Sequence, residues 1–136
     1  MTIATKSRLP DSEKITINLG LIDLGQIDLL VQEGFYSNRT DLIRTAIRNQ
    51  LASHAEVLRQ TVARRTLVLG LQEFSRRDLE AVRKTKTRLR IQVLGLVRIG
   101  NDVSPELARE TIESIAVLGA LQASPAVKAA LADRIH

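Results

Sequence analysis

Three polar side chains with the chemistry to recognise nucleic-acid bases occupy alternate positions near the start of the chain: Lys14, Thr16 and Asn18. The residues between and after them are apolar, namely Ile15, Ile17 and Leu19. A period of two is typical of a β-strand with one buried face, and it places a cation, a hydroxyl and an amide on the other face. In a major groove, lysine can donate to guanine, asparagine can pair with adenine, and threonine can contact a base or a thymine methyl. The spacing alone fits an ordinary polar sheet face in water equally well.

The sequence offers no comparable group for catalysis. Its two histidines, His54 and His136, have no nearby acidic or serine pattern, and there is no cysteine. No glycine-rich phosphate loop and no metal-ligand spacing occurs. We therefore predict that the protein is not an enzyme and has no catalytic residue, no cofactor and no metal.

The polar strand needs a partner, because an unpaired strand exposes a row of backbone donors and acceptors. No second strand follows within this part of the sequence, where two helical patterns come next. Pairing with the same strand of a second copy would form a two-stranded antiparallel ribbon over four helices.

The two helices are expected to have recognisable ends. Asp23 and Gln26 have the spacing of a capping box, which predicts that the first helix opens at Asp23. Gly34 stands where a helix ends in a left-handed residue. Ser37 is predicted to cap the second helix, with Asp41 in its first turn favouring the helix dipole.

The start of the second helix is a second candidate site. Its unpaired backbone N–H groups and positive dipole end can hold an anion. The residues at this position are Ser37, Asn38, Arg39 and Thr40. A plain helix cap with a solvated arginine is the alternative interpretation.

The segment from Lys14 to Leu51 reads KITINLGLIDLGQIDLLVQEGFYSNRTDLIRTAIRNQL. It resembles the ribbon-helix-helix DNA-binding proteins of the CopG, Arc and MetJ type, and the resemblance covers residues 13–52. Gly20 departs from the pattern, since the family often has proline there. The resemblance implies a homodimer bound to double-stranded DNA. It assigns base reading to Lys14, Thr16 and Asn18, and phosphate binding to the residues around Arg39.

The function implied by this resemblance is sequence-specific transcriptional regulation, as a repressor or autoregulator. Two alternatives remain open: an antitoxin with a partner toxin, and a DNA-anchored scaffold protein that assembles with itself. No apolar run is long enough to span a bilayer, and the start of the chain has no signal-peptide pattern. We therefore expect a cytoplasmic, nucleoid-associated protein without a membrane partner.

Charge is distributed unevenly along the 136 residues, whose formal net charge is +5. Residues 66–100 hold eight Lys and Arg against three Asp and Glu, whereas residues 101–136 hold three against five. A basic balance favours an anionic partner such as nucleic acid, although only weakly. The opposite charge of the two segments also makes head-to-tail association between copies conceivable.

A repeat occupies the second half of the sequence. The triplet Val-Leu-Gly ends at Gly70, Gly95 and Gly119, which are 25 and 24 residues apart. Each triplet precedes a serine that can cap a helix, at Ser75, Ser104 and Ser124. This order predicts three strand-turn-helix units with parallel strands, the third truncated. Their valines, Val68, Val93 and Val117, should lie side by side in one buried row.

The predicted fold class is therefore α+β, with an intermolecular ribbon-helix-helix domain followed by a small α/β repeat domain. Residues 1–12 are predicted to be a flexible arm, in which Lys6 and Arg8 are alternative phosphate contacts. Residues 13–52 form the DNA-binding and dimerisation domain, and residues 53–65 a helical linker. Residues 66–136 form the repeat domain, for self-association or for binding another protein.

Overall fold

A computed structural model describes residues 12–136. The chain divides into two compact units, one of residues 14–61 and one that contains residues 62–136. We call them the N-terminal unit and the C-terminal unit. The predicted arm, with Lys6 and Arg8, lies outside the described residues except for Ser12.

The first helix of the N-terminal unit, α1, spans Leu21–Gln32. Its predicted start at Asp23 is wrong, because the helical hydrogen bonds already reach the carbonyl of Gly20, which accepts from Leu24 N–H at 3.0 Å. Gly20 itself is extended and no side chain caps the helix. The predicted role of Gly34 is confirmed, since it adopts a φ of +85° while Phe35 N–H donates to Leu30 O at 3.0 Å.

The second helix, α2, spans Arg39–Ser53 and is capped by Asn38. The prediction that Ser37 is its cap is wrong by one residue. Asn38 Oδ1 accepts from the N–H of Asp41 at 2.8 Å, whereas the Ser37 hydroxyl donates to the Asp41 carboxylate. A third helix, α3, spans Ala55–Arg64 after an interruption at His54.

Little of the N-terminal unit is shielded from solvent in a single chain. None of residues 14–61 is buried. Residues 13–20 contain neither a helix nor a strand that pairs with another described segment. Within a single chain, the segment predicted to be a strand keeps its apolar alternation but has no described strand to pair with.

The C-terminal unit is a three-stranded parallel sheet with one helix after each strand. The strands are β1 (Val68–Phe74), β2 (Leu89–Ile99) and β3 (Ile112–Gln122), in the order β1-β2-β3. The helices are α4 (Arg76–Lys84), α5 (Pro105–Thr111) and α6 (Pro125–Ala130), followed by a 3-10 turn, Ala132–Arg134. All three predicted serine caps are confirmed: Ser75, Ser104 and Ser124 each accept a backbone N–H of the first helical turn.

The register of the sheet aligns the three Val-Leu-Gly triplets. Val93 pairs with Val68 on one side and with Val117 on the other, as predicted. Their predicted burial is only partly correct, because Val93 is fully buried whereas Val68 is 44% exposed. Val68 lies on β1, and a strand at the edge of a sheet has a neighbour on one side only.

The core of the C-terminal unit lies between the sheet and its helices. It is one cluster, in which residues of β2 and β3 pack against Leu79 of α4, Leu107 of α5 and Val127 of α6. Leucines at the intervening strand positions are outside this cluster, and Leu69, Leu71 and Leu118 are exposed. One face of the sheet is therefore covered by helices and the other carries leucines in contact with solvent.

Candidate nucleic-acid interface

The three predicted base-reading residues, Lys14, Thr16 and Asn18, are all exposed. The apolar residues that alternate with them are also open to solvent: Ile15 is 72% exposed, Ile17 58% and Leu19 38%. In a single chain, therefore, both the polar and the apolar side of this segment are accessible to solvent. A polar face and a buried face can be distinguished only when another surface covers the isoleucines.

The start of α2 is a tightly hydrogen-bonded turn. The Asp41 carboxylate accepts from the N–H of Ser37 at 3.0 Å and from its hydroxyl at 2.9 Å. These two donors hold the pKa of Asp41 below its ordinary value. Because Asn38 in turn accepts from the N–H of Asp41, the residues before the helix are fixed relative to its first turn.

This arrangement leaves two backbone donors at the helix end. The first helical hydrogen bond runs from Leu42 N–H to Asn38 O at 3.3 Å. The N–H groups of Arg39 and Thr40 precede it, so helix geometry directs them out of the end of α2, along the positive end of its dipole. Both residues are exposed. Chemically, this end of α2 can accept a phosphate oxygen.

Arg39 has a second role that sequence reasoning missed. Its guanidinium donates through Nε to Asp28 Oδ1 at 2.7 Å and through the terminal NH2 group to Asp28 Oδ2 at 2.8 Å. This two-bond contact joins α1 to α2 and lowers the pKa of Asp28 while raising that of Arg39. The Arg39 side chain is still 54% exposed. No local sequence signal links two residues that are eleven positions apart across a turn.

The structure thus brings the predicted phosphate site together around one helix end, with a different division of roles. Ser37 and Asn38 hold the turn through Asp41, and Arg39 is oriented by Asp28. Thr40 is exposed at the same helix end.

Between residues 12 and 136, no three histidines, cysteines or acidic residues are grouped to hold a metal ion. In that range no helix has the length and apolar character to cross a membrane.

Comparison with known protein families gives a match. The ribbon-helix-helix transcriptional regulator family matches residues 10–128, which include both units of the chain. No curated protein and no solved structure matches. The match is wider than the resemblance over residues 13–52, and it includes the three-stranded sheet in the same family pattern. Because it extends over most of the 136 residues, this chain belongs to the ribbon-helix-helix transcriptional regulators.

Proposed function

We propose that this protein is a sequence-specific DNA-binding repressor or autoregulator that acts as a homodimer through residues 13–52. The observation that carries the proposal is the absence of any buried residue between residues 14 and 61 of a single chain. A unit of this size has too little internal apolar contact to offset the entropy of ordering its backbone. A second chain supplies the missing contact.

The segment before α1 is where the second chain fits best. Ile15, Ile17 and Leu19 alternate along it, and no described strand pairs with it. Antiparallel pairing with the same segment of another copy would satisfy the backbone groups of both strands at once. The isoleucines of the two chains would then face the helices of both.

Once the isoleucines are covered, the opposite side of the ribbon presents Lys14, Thr16 and Asn18 of each chain. A two-stranded ribbon fits the major groove, where lysine and asparagine can distinguish guanine and adenine. Specificity would come from these six side chains.

Affinity would come from contacts to the DNA backbone. The N–H groups of Arg39 and Thr40 at the start of α2 suit a phosphate, which fixes the position of the protein without reading sequence. Asp28 competes for the guanidinium of Arg39, so we assign Arg39 a smaller charge contribution than an unpaired arginine would make. Ser37 and Asn38 contribute by holding the turn.

We infer that residues 66–136 form a repeat module for association, joined to the DNA-binding part by the helical segment of residues 53–65. Three features support the repeat: aligned Val-Leu-Gly triplets, a serine cap after each strand, and a glycine with positive φ at the same place in each strand. Stacked units of this kind bury a common core between neighbours.

The test is binding to operator sequences selected from a genomic fragment library, measured by mobility shift. Asn18→Ala should relax the preference at one base position per half-site, which corresponds to about 1–3 kcal/mol. Lys14→Ala combined with Asn18→Ala should abolish specific binding while the fold is retained. A double variant that binds the selected operator as well as the wild type would refute the base-reading assignment.

A matched control removes the same side-chain types elsewhere. Lys128→Ala with Asn101→Ala deletes one cation and one amide from exposed positions of the C-terminal unit. It should weaken binding to all sequences slightly, through net charge, and should leave the preference for the operator unchanged.

A further inference from the structure

Three glycines lie side by side on the three strands of the C-terminal unit, and the row that they form lacks a described neighbouring strand at the β1 edge. Gly70, Gly95 and Gly119 are paired in register and have φ values of +122°, +142° and +124°. A Cβ on Gly95 would lie 2.2 Å from Gly70 O, and one on Gly119 would lie 2.0 Å from Gly95 O. In both cases the carbonyl oxygen of the preceding strand occupies the space that a side chain would need.

Gly70 has the same backbone conformation and no such neighbour. Nothing in residues 12–136 lies within 4 Å of the position that its Cβ would take. The backbone of β1 at Gly70 could therefore accommodate a glycine carbonyl of another strand, as Gly95 and Gly119 do. Among the described residues no strand lies there, since β1 pairs only with β2.

We propose that this edge binds β3 of a second copy in parallel, so that the sheet continues from one chain into the next. The strand that fits the edge must carry a glycine whose carbonyl points away from its own sheet. Gly70 O and Gly95 O each point toward the following strand. By the same repetition, Gly119 O points to the outer edge of β3, where a following strand would be.

The register and length of the two edges agree with this pairing. Extending the alignment of the triplets places Val117 beside Val68, and Gly119 beside Gly70, of the next copy. The outer edge of β3 is occupied near its start, where Ile135 forms a parallel bridge with Ile115 and His136 N–H donates to Ile115 O at 2.7 Å. These contacts lie two residues before Val117, and beyond them no strand of residues 12–136 pairs with the outer edge of β3.

Charge does not oppose this arrangement, because both ends are close to neutral: residues 68–84 carry four basic and three acidic side chains, and residues 112–136 carry two of each. The proposal rests on the C-terminal unit alone and is independent of DNA binding.

Disulfide formation in the full-length chain tests the pairing, because the wild type contains no cysteine. One variant carries Leu69→Cys and a second carries Leu118→Cys. The two side chains are 71% and 47% exposed, so replacing them should not disturb the core. Adjacent parallel strands are about 4.8 Å apart, a separation that a disulfide can bridge. Within one chain the two positions are separated by β2, at about 10 Å, and cannot be joined.

Mixing the two proteins under mild oxidation should give a mixed disulfide of one chain of each kind. The double variant, Leu69→Cys with Leu118→Cys, should give a ladder of multiples on a non-reducing gel. A mixture of Leu71→Cys with Leu118→Cys is the control, since a shift of two residues separates the Cα atoms by roughly 8 Å. Mixed disulfide no more abundant than in this control, or disulfides mainly between identical variants, would overturn the proposal.

Discussion

The two units of this chain differ in whether they complete their own core. The buried side chains of residues 12–136 all belong to the C-terminal unit, and include Val93, Ile115 and Leu131, each fully buried. The N-terminal unit has none, although it is rich in leucine and isoleucine. Composition is therefore not what separates the two regions.

What separates them is where the neighbouring surface comes from. In the C-terminal unit the three strand-helix pairs cover one another within a single chain, since Leu79 of α4, Leu107 of α5 and Val127 of α6 all belong to one buried cluster. In the N-terminal unit α1 and α2 are joined by a surface ion pair, Arg39 to Asp28. Exposed ion pairs contribute at most about 1 kcal/mol, which is too little to hold a fold together. In the proposed dimer, its covering surface comes from a second chain.

The largest effect should follow from Ile17→Asp. In the proposed dimer this change places a carboxylate from each chain in the shared core, at a cost of several kcal/mol. We expect the N-terminal unit to unfold and specific DNA binding to be lost, while the C-terminal unit melts as before. Circular dichroism and sedimentation of the full chain measure both, with Ile17→Val as the conservative control. A folded, monomeric N-terminal unit in the wild type at micromolar concentration would contradict the comparison.

The corresponding change in the other unit is Val93→Asp. Val93 is fully buried on the middle strand, so an unpaired carboxylate there should abolish cooperative unfolding of the C-terminal unit. Val68→Asp is the matched control at the equivalent position of the edge strand, where the side chain is 44% exposed. It should cost far less. Thermal melting of both variants decides this, and equal destabilisation would show that the two positions are not distinguished by burial.

A smaller effect should separate two glycines of the same row. Gly95→Ala combines an unfavourable positive φ with a Cβ 2.2 Å from Gly70 O, so β1 and β2 must move apart. Gly70→Ala has the unfavourable φ without the clash. We expect about 1–2 kcal/mol for Gly70→Ala and more than about 3 kcal/mol for Gly95→Ala. Urea unfolding monitored on the C-terminal unit gives both values; a Gly95→Ala variant no weaker than Gly70→Ala would exclude the close approach.

The smallest effect concerns acid, and it applies to both units. Asp41 and Asp78 have pKa values below the ordinary 3.8, because each accepts the backbone N–H and the hydroxyl of a serine, Ser37 and Ser75 respectively. A lowered pKa in the folded state means that the stabilisation is present above the unfolded value and is lost as the pH falls through the folded one. We expect both carboxyls to titrate below pH 3.8 by NMR.

Asp41→Asn and Asp78→Asn should each flatten the acid limb of stability below about pH 4, in the N-terminal and C-terminal unit respectively. Ser37→Ala removes a hydroxyl donor, whereas Ser75→Ala also removes the cap of α4; each should raise the pKa of its aspartate part of the way. Carboxyls that titrate at their ordinary value would show that these serine contacts do not persist in solution.

Local patterns predicted the elements that depend on local physics. The three serine caps of the C-terminal unit could be predicted from the sequence because a side chain that accepts from the first turn of its own helix needs no distant partner. Gly34 was found for a similar reason, since a left-handed helix end requires little beyond the right residue. The start of α1 was missed because no side chain caps it.

The cap of α2 shows how a local signal can be displaced. Ser37 and Asn38 are both good caps, and the sequence does not rank them. The structure assigns the cap to Asn38 because Ser37 is held by Asp41 through both its N–H and its hydroxyl. The base-reading residues Lys14, Thr16 and Asn18 stay predictions, since their roles depend on a partner strand and on DNA.

By itself, the sequence determined that the second half consists of strand-helix units, and which residues of the strands are equivalent. The tertiary structure decided which of those equivalent residues are buried, because burial depends on how many neighbours a strand has. It also decided that Arg39 is held by Asp28, a contact between helices that no periodicity encodes. Hydrogen-bond patterns within a turn are set by neighbours in sequence, whereas burial and cross-helix pairing are set by neighbours in space.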